Sequence, residues 1–150
     1  AHAYSIHQRW IHSNGLLRYK ANPVYCASVR EGKVTDGMDI ILWHCGKGPE
    51  YRWTMDGELI KLEADPSYCM SVREGKGGDG SDVILWHCGE GDGFHWLLDG
   101  EHMVYKAKPR FWLSVRQDSP MDGAGLILWT GGDGNAFRWR VDGALVRLDS

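Results

Sequence analysis

Residues 57–99 read GELIKLEADPSYCMSVREGKGGDGSDVILWHCGEGDGFHWLLD, and the same pattern lies on both sides of this stretch without a gap. Trp10, Trp53, Trp96 and Trp139 stand 43 residues apart. So do Pro23, Pro66 and Pro109, Ser28, Ser71 and Ser114, Arg30, Arg73 and Arg116, Asp36, Asp79 and Asp122, and Trp43, Trp86 and Trp129. A fixed period of this length marks an architecture built by repetition. Three units fall at about 15–56, 57–99 and 100–142 of one domain spanning 1–150. A Trp10 segment is left over at the front and a Gly143–Leu148 segment at the back, and one of them is expected to form an added edge strand.

Within each unit the signals are those of strands. Glu58–Leu62 alternates, Tyr68–Arg73 follows a proline, Val83–Cys88 is an apolar run, and Phe94–Leu98 carries the conserved-register Trp96. Asp56-Gly57, Asp99-Gly100 and Asp142-Gly143 are hairpin-turn dipeptides, because glycine accepts positive φ and aspartate tolerates it. No stretch sustains helical spacing. Four strands in each of three units make twelve, and threefold repetition predicts an all-β fold closed as a β-trefoil, which leaves no open sheet edge. A propeller also uses four-stranded units of similar length, but three blades fall below its usual ~4–8.

Composition narrows the function. The 150 residues are 43% hydrophobic and 25% charged, with 20 glycines and 8 tryptophans. Lys+Arg 17 against Asp+Glu 20 gives a net charge of −3, so no broad basic field is available for nucleic acid or acidic lipid. No apolar run approaches the ~18 residues of a membrane span, and membrane insertion is not expected.

The four cysteines obey the repeat. Cys26 and Cys45 are 19 apart, Cys69 and Cys88 likewise, and the third unit places Trp112 and Gly131 at the two equivalent positions. Their joint replacement says that the two positions touch, one large ring filling the space of a bridge. This predicts disulfides Cys26–Cys45 and Cys69–Cys88, each worth roughly 3 kcal/mol in the chain-entropy picture. Bridges imply an oxidising, extracellular compartment. With no signal peptide visible, a secreted chain is expected here in its mature form, whereas four free thiols would fit the cytoplasm.

Cys-x-x-Val-Arg, then Asp-Gly, then a strand ending Leu-Trp-x-Cys, then aromatic-x-Trp resembles the ricin B-type lectin domain, whose repeats carry a Gln-x-Trp signature. The resemblance covers nearly the whole chain. It implies a β-trefoil with up to three shallow sugar sites, a multivalent lectin directed at glycans of cell surfaces or glycoproteins, and no cofactor. The departures are consistent across the units. The family's sugar-binding Asp is replaced by Ser28, Ser71 and Ser114, its Gln by Tyr51, Phe94 and Phe137, and a polar residue before the platform by Ile41, Ile84 and Ile127. What survives is the platform of Trp43, Trp86 and Trp129. Plain galactose should therefore bind poorly.

The candidate polar groups around those platforms are Arg30, Glu31 and Asp39, then Arg73, Glu74 and Asp82, then Arg116, Gln117 and Asp122, with Ser28, Ser71 and Ser114 at the positions of the missing carboxylate. Arginine offers a planar fork to oxygen ligands, although each could equally form a surface ion pair. Trp53, Trp96 and Trp139 read as core. His44-Cys45 and His87-Cys88 do not make a zinc site, since adjacent ligands do not easily reach one tetrahedral ion. Asp36-Gly-Met-Asp39 and Asp79-Gly-Ser-Asp82 lack the further ligands of a calcium loop and read as turns. An active site needs unlike groups converging once, and here the same modest groups occur three times, so no enzyme activity is expected. Two other readings stand beside the lectin: a protein-binding trefoil such as a protease inhibitor, which would need one long and unique loop, and a structural trefoil with lost sugar sites.

Overall fold

The structure, a computed structural model, describes residues 8–118 and 120–131. Twelve strands fall in three antiparallel sheets of four: β1 (Trp10–Ser13), β2 (Leu16–Tyr19), β3 (Tyr25–Val29) and β4 (Ile40–His44); β5 (Trp53–Asp56), β6 (Leu59–Leu62), β7 (Tyr68–Val72) and β8 (Val83–His87); β9 (Trp96–Asp99), β10 (His102–Tyr105), β11 (Phe111–Val115) and β12 (Leu126–Thr130). Each strand is four or five residues long, and the connections are short turns, five of which contain a 3-10 turn among the described residues. The β5–β6 hairpin pairs Asp56 with Leu59, so the Asp-Gly dipeptide sits in the two-residue turn where Gly57 takes φ 61°.

Two rings of backbone hydrogen bonds join the sheets. In the first, Trp10 N–H donates to Glu101 O, Trp53 N–H to Gly15 O and Trp96 N–H to Glu58 O, all at 2.8–2.9 Å. Together with the hairpins β1–β2, β5–β6 and β9–β10, these bonds close a six-stranded barrel. In the second, Gly37 N–H donates to Leu85 O, Gly80 N–H to Leu128 O and Gly123 N–H to Leu42 O, at 2.7–2.8 Å. These tie the hairpins β3–β4, β7–β8 and β11–β12 into a cap with threefold symmetry. The result is the β-trefoil that the repeat predicts.

The Trp10 segment is part of the barrel. By the 43-residue register, Glu101 and the carbonyl of Leu113 belong to Trp139, as Gly15 and Ala27 belong to Trp53. Here Trp10 holds both: its backbone N–H meets Glu101 and its indole N–H donates to Leu113 O at 3.1 Å. It is therefore counted among the twelve strands and does not sit at an open edge. Trp139 and the Gly143–Leu148 segment lie outside the described residues.

The core follows the period-2 pattern. Leu17, Tyr19, Ala27, Val29, Ile40, Leu42 and their counterparts in the other units are all buried in one central cluster, and the alternate positions Cys26, Ser28 and Ile41 with their counterparts are buried outside it. Trp10, Trp53 and Trp96 lie wholly inside, and the indole N–H of each is satisfied by a strand carbonyl, Leu113, Ala27 and Met70 respectively. Burying an indole without such a partner would be costly.

Cys26 is bonded to Cys45 and Cys69 to Cys88, with Cα–Cα distances of 5.0 Å in both. In the third unit a Cβ at Gly131 would overlap the Trp112 ring, so the indole fills the space that the bridges take in the other two. Trp112 is buried and stacks on His102 at 4.0 Å between ring centroids.

Candidate functional site

Three repeat-related depressions open on the cap. The first is lined by Val29, Arg30, Glu31, Gly32, Ile41, Trp43, Glu50 and Tyr51. The second, about 540 Å³, is lined by Arg73, Glu74, Ile84, Trp86, Asp92 and Phe94 with Ser71 among its walls. The third has Ser114, Arg116, Gln117, Ile127 and Trp129.

The three tryptophans expected to serve as platforms are at the surface. Trp43 is 43% exposed and Trp86 38%, on strands whose preceding residues are buried, and Trp129 is half-buried. They occupy the penultimate places of β4, β8 and β12, where each strand leaves the core. A flat apolar face beside a few polar groups suits the C–H face and hydroxyls of a sugar ring.

What holds each strand end is a bond from another unit. The backbone N–H of His87 donates to Asp36 Oδ1 at 2.7 Å and its Nδ1 lies 2.8 Å from Asp36 Oδ2. His44 meets Asp122 in the same way, at 2.9 and 2.7 Å. In the third instance Thr130 donates its backbone N–H and its hydroxyl to Asp79 Oδ1, both at 2.7 Å. His44 and His87 are thus joints between units, each directly after Trp43 or Trp86. Among the described residues no group of three or more His, Cys, Asp or Glu could hold a metal ion.

The residues after the cap arginines are in an unusual conformation. Glu31 and Glu74 have φ 58° and Gln117 has φ 61°, the left-handed region that costs a residue with a Cβ about 1–2 kcal/mol. Their side chains line the first, second and third depressions respectively. The same backbone conformation thus recurs at the same place beside all three pockets.

Other sequence candidates are placed differently. Ser28, Ser71 and Ser114 are buried, and the hydroxyls of Ser28 and Ser71 lie 3.5 Å from the carbonyls of Val29 and Val72. Ser71 and Ser114 reach pocket walls, whereas Ser28 is not among those lining the first. Asp39 and Asp82 turn toward the threefold axis: Asp39 pairs with Arg30 at 3.3 Å and Arg73 at 3.7 Å, and Asp82 with Arg73 at 3.4 Å and Arg116 at 2.6 Å. Two acids the sequence did not single out stand in the depressions, Glu50 in the first and Asp92 in the second, each on a short 3-10 turn. They are one position apart in repeat register, which hides them from a column-by-column reading. Beside Glu50, burial above all, with the charges of Glu50 and Asp122, raises the Tyr51 phenol above its ordinary 10.0.

Comparison with known proteins agrees with this architecture. The family model described as ricin-type beta-trefoil lectin domain matches residues 13–139. The chain belongs to that family. Comparison with curated proteins yields no match. Among solved structures, the designed 3-fold symmetric protein ThreeFoil is similar at 24% identity and TM-score 0.63, over 75% of this chain and 86% of that one. An agglutinin from Abrus precatorius is similar at 20% identity and TM-score 0.61, over 74% of this chain and 46% of that one. The C-half of an earthworm R-type lectin, solved in complex with GalNAc, is similar at 16% identity and TM-score 0.58, over 71% of this chain and 80% of that one. At these identities the likeness concerns the fold.

Proposed function

We propose that the chain is a carbohydrate-binding lectin module with up to three repeat-related, shallow sites, without enzymatic activity of its own. The observation that carries this reading is the pairing of a solvent-exposed Trp43 or Trp86 with a strained glutamate in the same depression. Core tryptophans would be buried, as Trp53 and Trp96 are. Membership of a lectin-domain family supports binding of sugars in general, and the earthworm relative's complex with GalNAc shows what that protein binds.

The ligand follows from the site's chemistry. The family's carboxylate is replaced by buried serines, and a lost hydrogen bond to a charged group weakens binding by about ten- to a hundredfold. Glu31, Glu50 and Arg30 in the first site, and Glu74, Asp92 and Arg73 in the second, remain to grip hydroxyls. This favours an extended or modified glycan over galactose, held through several weak sites at once. The two disulfides support a secreted protein meeting glycans outside the cell. A glycan array with galactose as competitor tests the reading. Binding to extended glycans that 10 mM galactose does not displace is expected, on the order of the millimolar affinity of a weak site. Absence of binding to every glycan class would contradict it.

A further inference from the structure

On the threefold axis of the cap, Arg30, Arg73 and Arg116 alternate with acids in a ring that is missing one member. In the two complete places the pattern of partners is the same. Asp39 lies 3.3 Å from the Nε of its own unit's Arg30 and 3.7 Å from a terminal nitrogen of Arg73 in the next unit. Asp82 lies 3.4 Å from Arg73 Nε and 2.6 Å from a terminal nitrogen of Arg116. The repeat puts Gly125 at the third place, where an aspartate would face Arg116 Nε and the terminal nitrogens of Arg30. A Cβ built at Gly125 would stand 3.5 Å from Arg116 Nε, so the position points into the gap. No carboxylate among the described residues takes the Nε edge of Arg116, and Arg30 pairs only with Asp39 there.

The gap is a pocket of about 440 Å³, lined by Arg30, Arg116, Gln117, Met121, Gly125 and the backs of Asp39 and Asp82 among others. Three arginines facing two aspartates leave one positive charge on the axis. Two guanidinium edges converge on one vacant carboxylate position, which is the planar recognition arginine favours. Gly125 is not in the left-handed region, so glycine is not required there by the backbone.

We propose that this axial pocket binds the carboxylate of a ligand, which completes the ring between Arg116 and Arg30 where the chain itself supplies Gly125. The site lies on the axis between the tryptophan depressions and shares Arg30 with the first and Arg116 and Gln117 with the third. It occurs once per chain because only the third unit lacks the acid.

The test is an NMR titration of the Arg side-chain Nε–Hε signals with acetate and, as its neutral counterpart, acetamide, both at constant ionic strength. Saturable shifts of the Arg116 and Arg30 signals with acetate, and none with acetamide, are expected. Gly125→Asp should abolish the acetate response by filling the place from within and raise the melting temperature. Arg30→Gln, which also gives up the ion pair with Asp39, should weaken acetate about fivefold or more. Glucuronate and N-acetyl-aspartylamide arms then distinguish a sugar acid from an acidic side chain as the source, the tighter naming it. Equal shifts with acetamide, or unchanged acetate binding in both variants, would overturn the proposal.

Discussion

Asp36 and His87 are 51 residues apart in the chain and joined by two bonds, from the backbone N–H of His87 at 2.7 Å and at its Nδ1 at 2.8 Å. The same joint links Asp122 to His44 and, with a hydroxyl in place of the imidazole, Asp79 to Thr130. Each unit thus holds the platform strand of the next. Asp36→Ala should cost about 1–2 kcal/mol in urea unfolding, with much of the effect coming from the backbone N–H left without its partner. A double-mutant cycle with His87→Ala should recover only part of it, since alanine at 87 retains the N–H.

Replacing Glu31 and Glu74 by glycine relieves the left-handed backbone. The pair should gain roughly 0.5–1 kcal/mol per site in chemical denaturation, the strain released less the flexibility glycine adds to the unfolded chain. Glycan affinity should fall at the same time. Stability gained with binding unchanged would place these glutamates outside the sites.

The bridges and the Trp112–Gly131 contact are equivalent solutions in one fold. Changing Cys26 and Cys45 together to alanine should lower stability by about 3 kcal/mol, the loop-closure value for a 19-residue separation. Gly131→Ala should also destabilise, because its Cβ has no room against the Trp112 ring. Both are read from denaturant midpoints at fixed temperature.

Acid should weaken the barrel rim. Glu58 accepts from Lys106 Nζ at 2.9 and 3.0 Å, and that hydrogen bond, more than the Lys106 and His95 charges, holds its carboxyl below the ordinary 4.5. Glu101 is lowered in the same direction, first by its hydrogen bond from Lys20 at 2.7 Å. A carboxyl with a lower pKa in the folded state binds fewer protons there, so its contribution is full above 4.5 and is lost as pH falls through the folded value. Melting temperatures at constant salt should drop as pH falls below 4.5, and Glu58→Gln with Glu101→Gln should flatten that limb.

Most of the fold is visible in the repeat, because strand segments, turn dipeptides and the paired change at Trp112 and Gly131 are all local or in register. What the register hides is contact between units. Asp36 reads as a turn residue from its neighbours, and its bonds to His87 arise only when the cap closes. Asp39 and Asp82 read as sugar ligands beside their own Trp, whereas closure turns them to the axis. One signal was present: Asp39, Asp82 and Gly125 fall in one column, and the break at Gly125 marks the open place in the ring. The Trp10 strand is hidden for a related reason, since its place in the barrel rests on bonds to Glu101 and Leu113 far along the chain.

The most direct test changes the two exposed platforms, Trp43→Ala with Trp86→Ala, and measures glycan binding by calorimetry alongside the melting temperature. Because both rings are partly exposed and lie outside the central core, the fold should be kept with a modest drop in melting temperature, while binding is lost or reduced by at least about tenfold. Binding that survives the double change, or a protein that no longer folds, would contradict the assignment of Trp43 and Trp86 as sugar platforms.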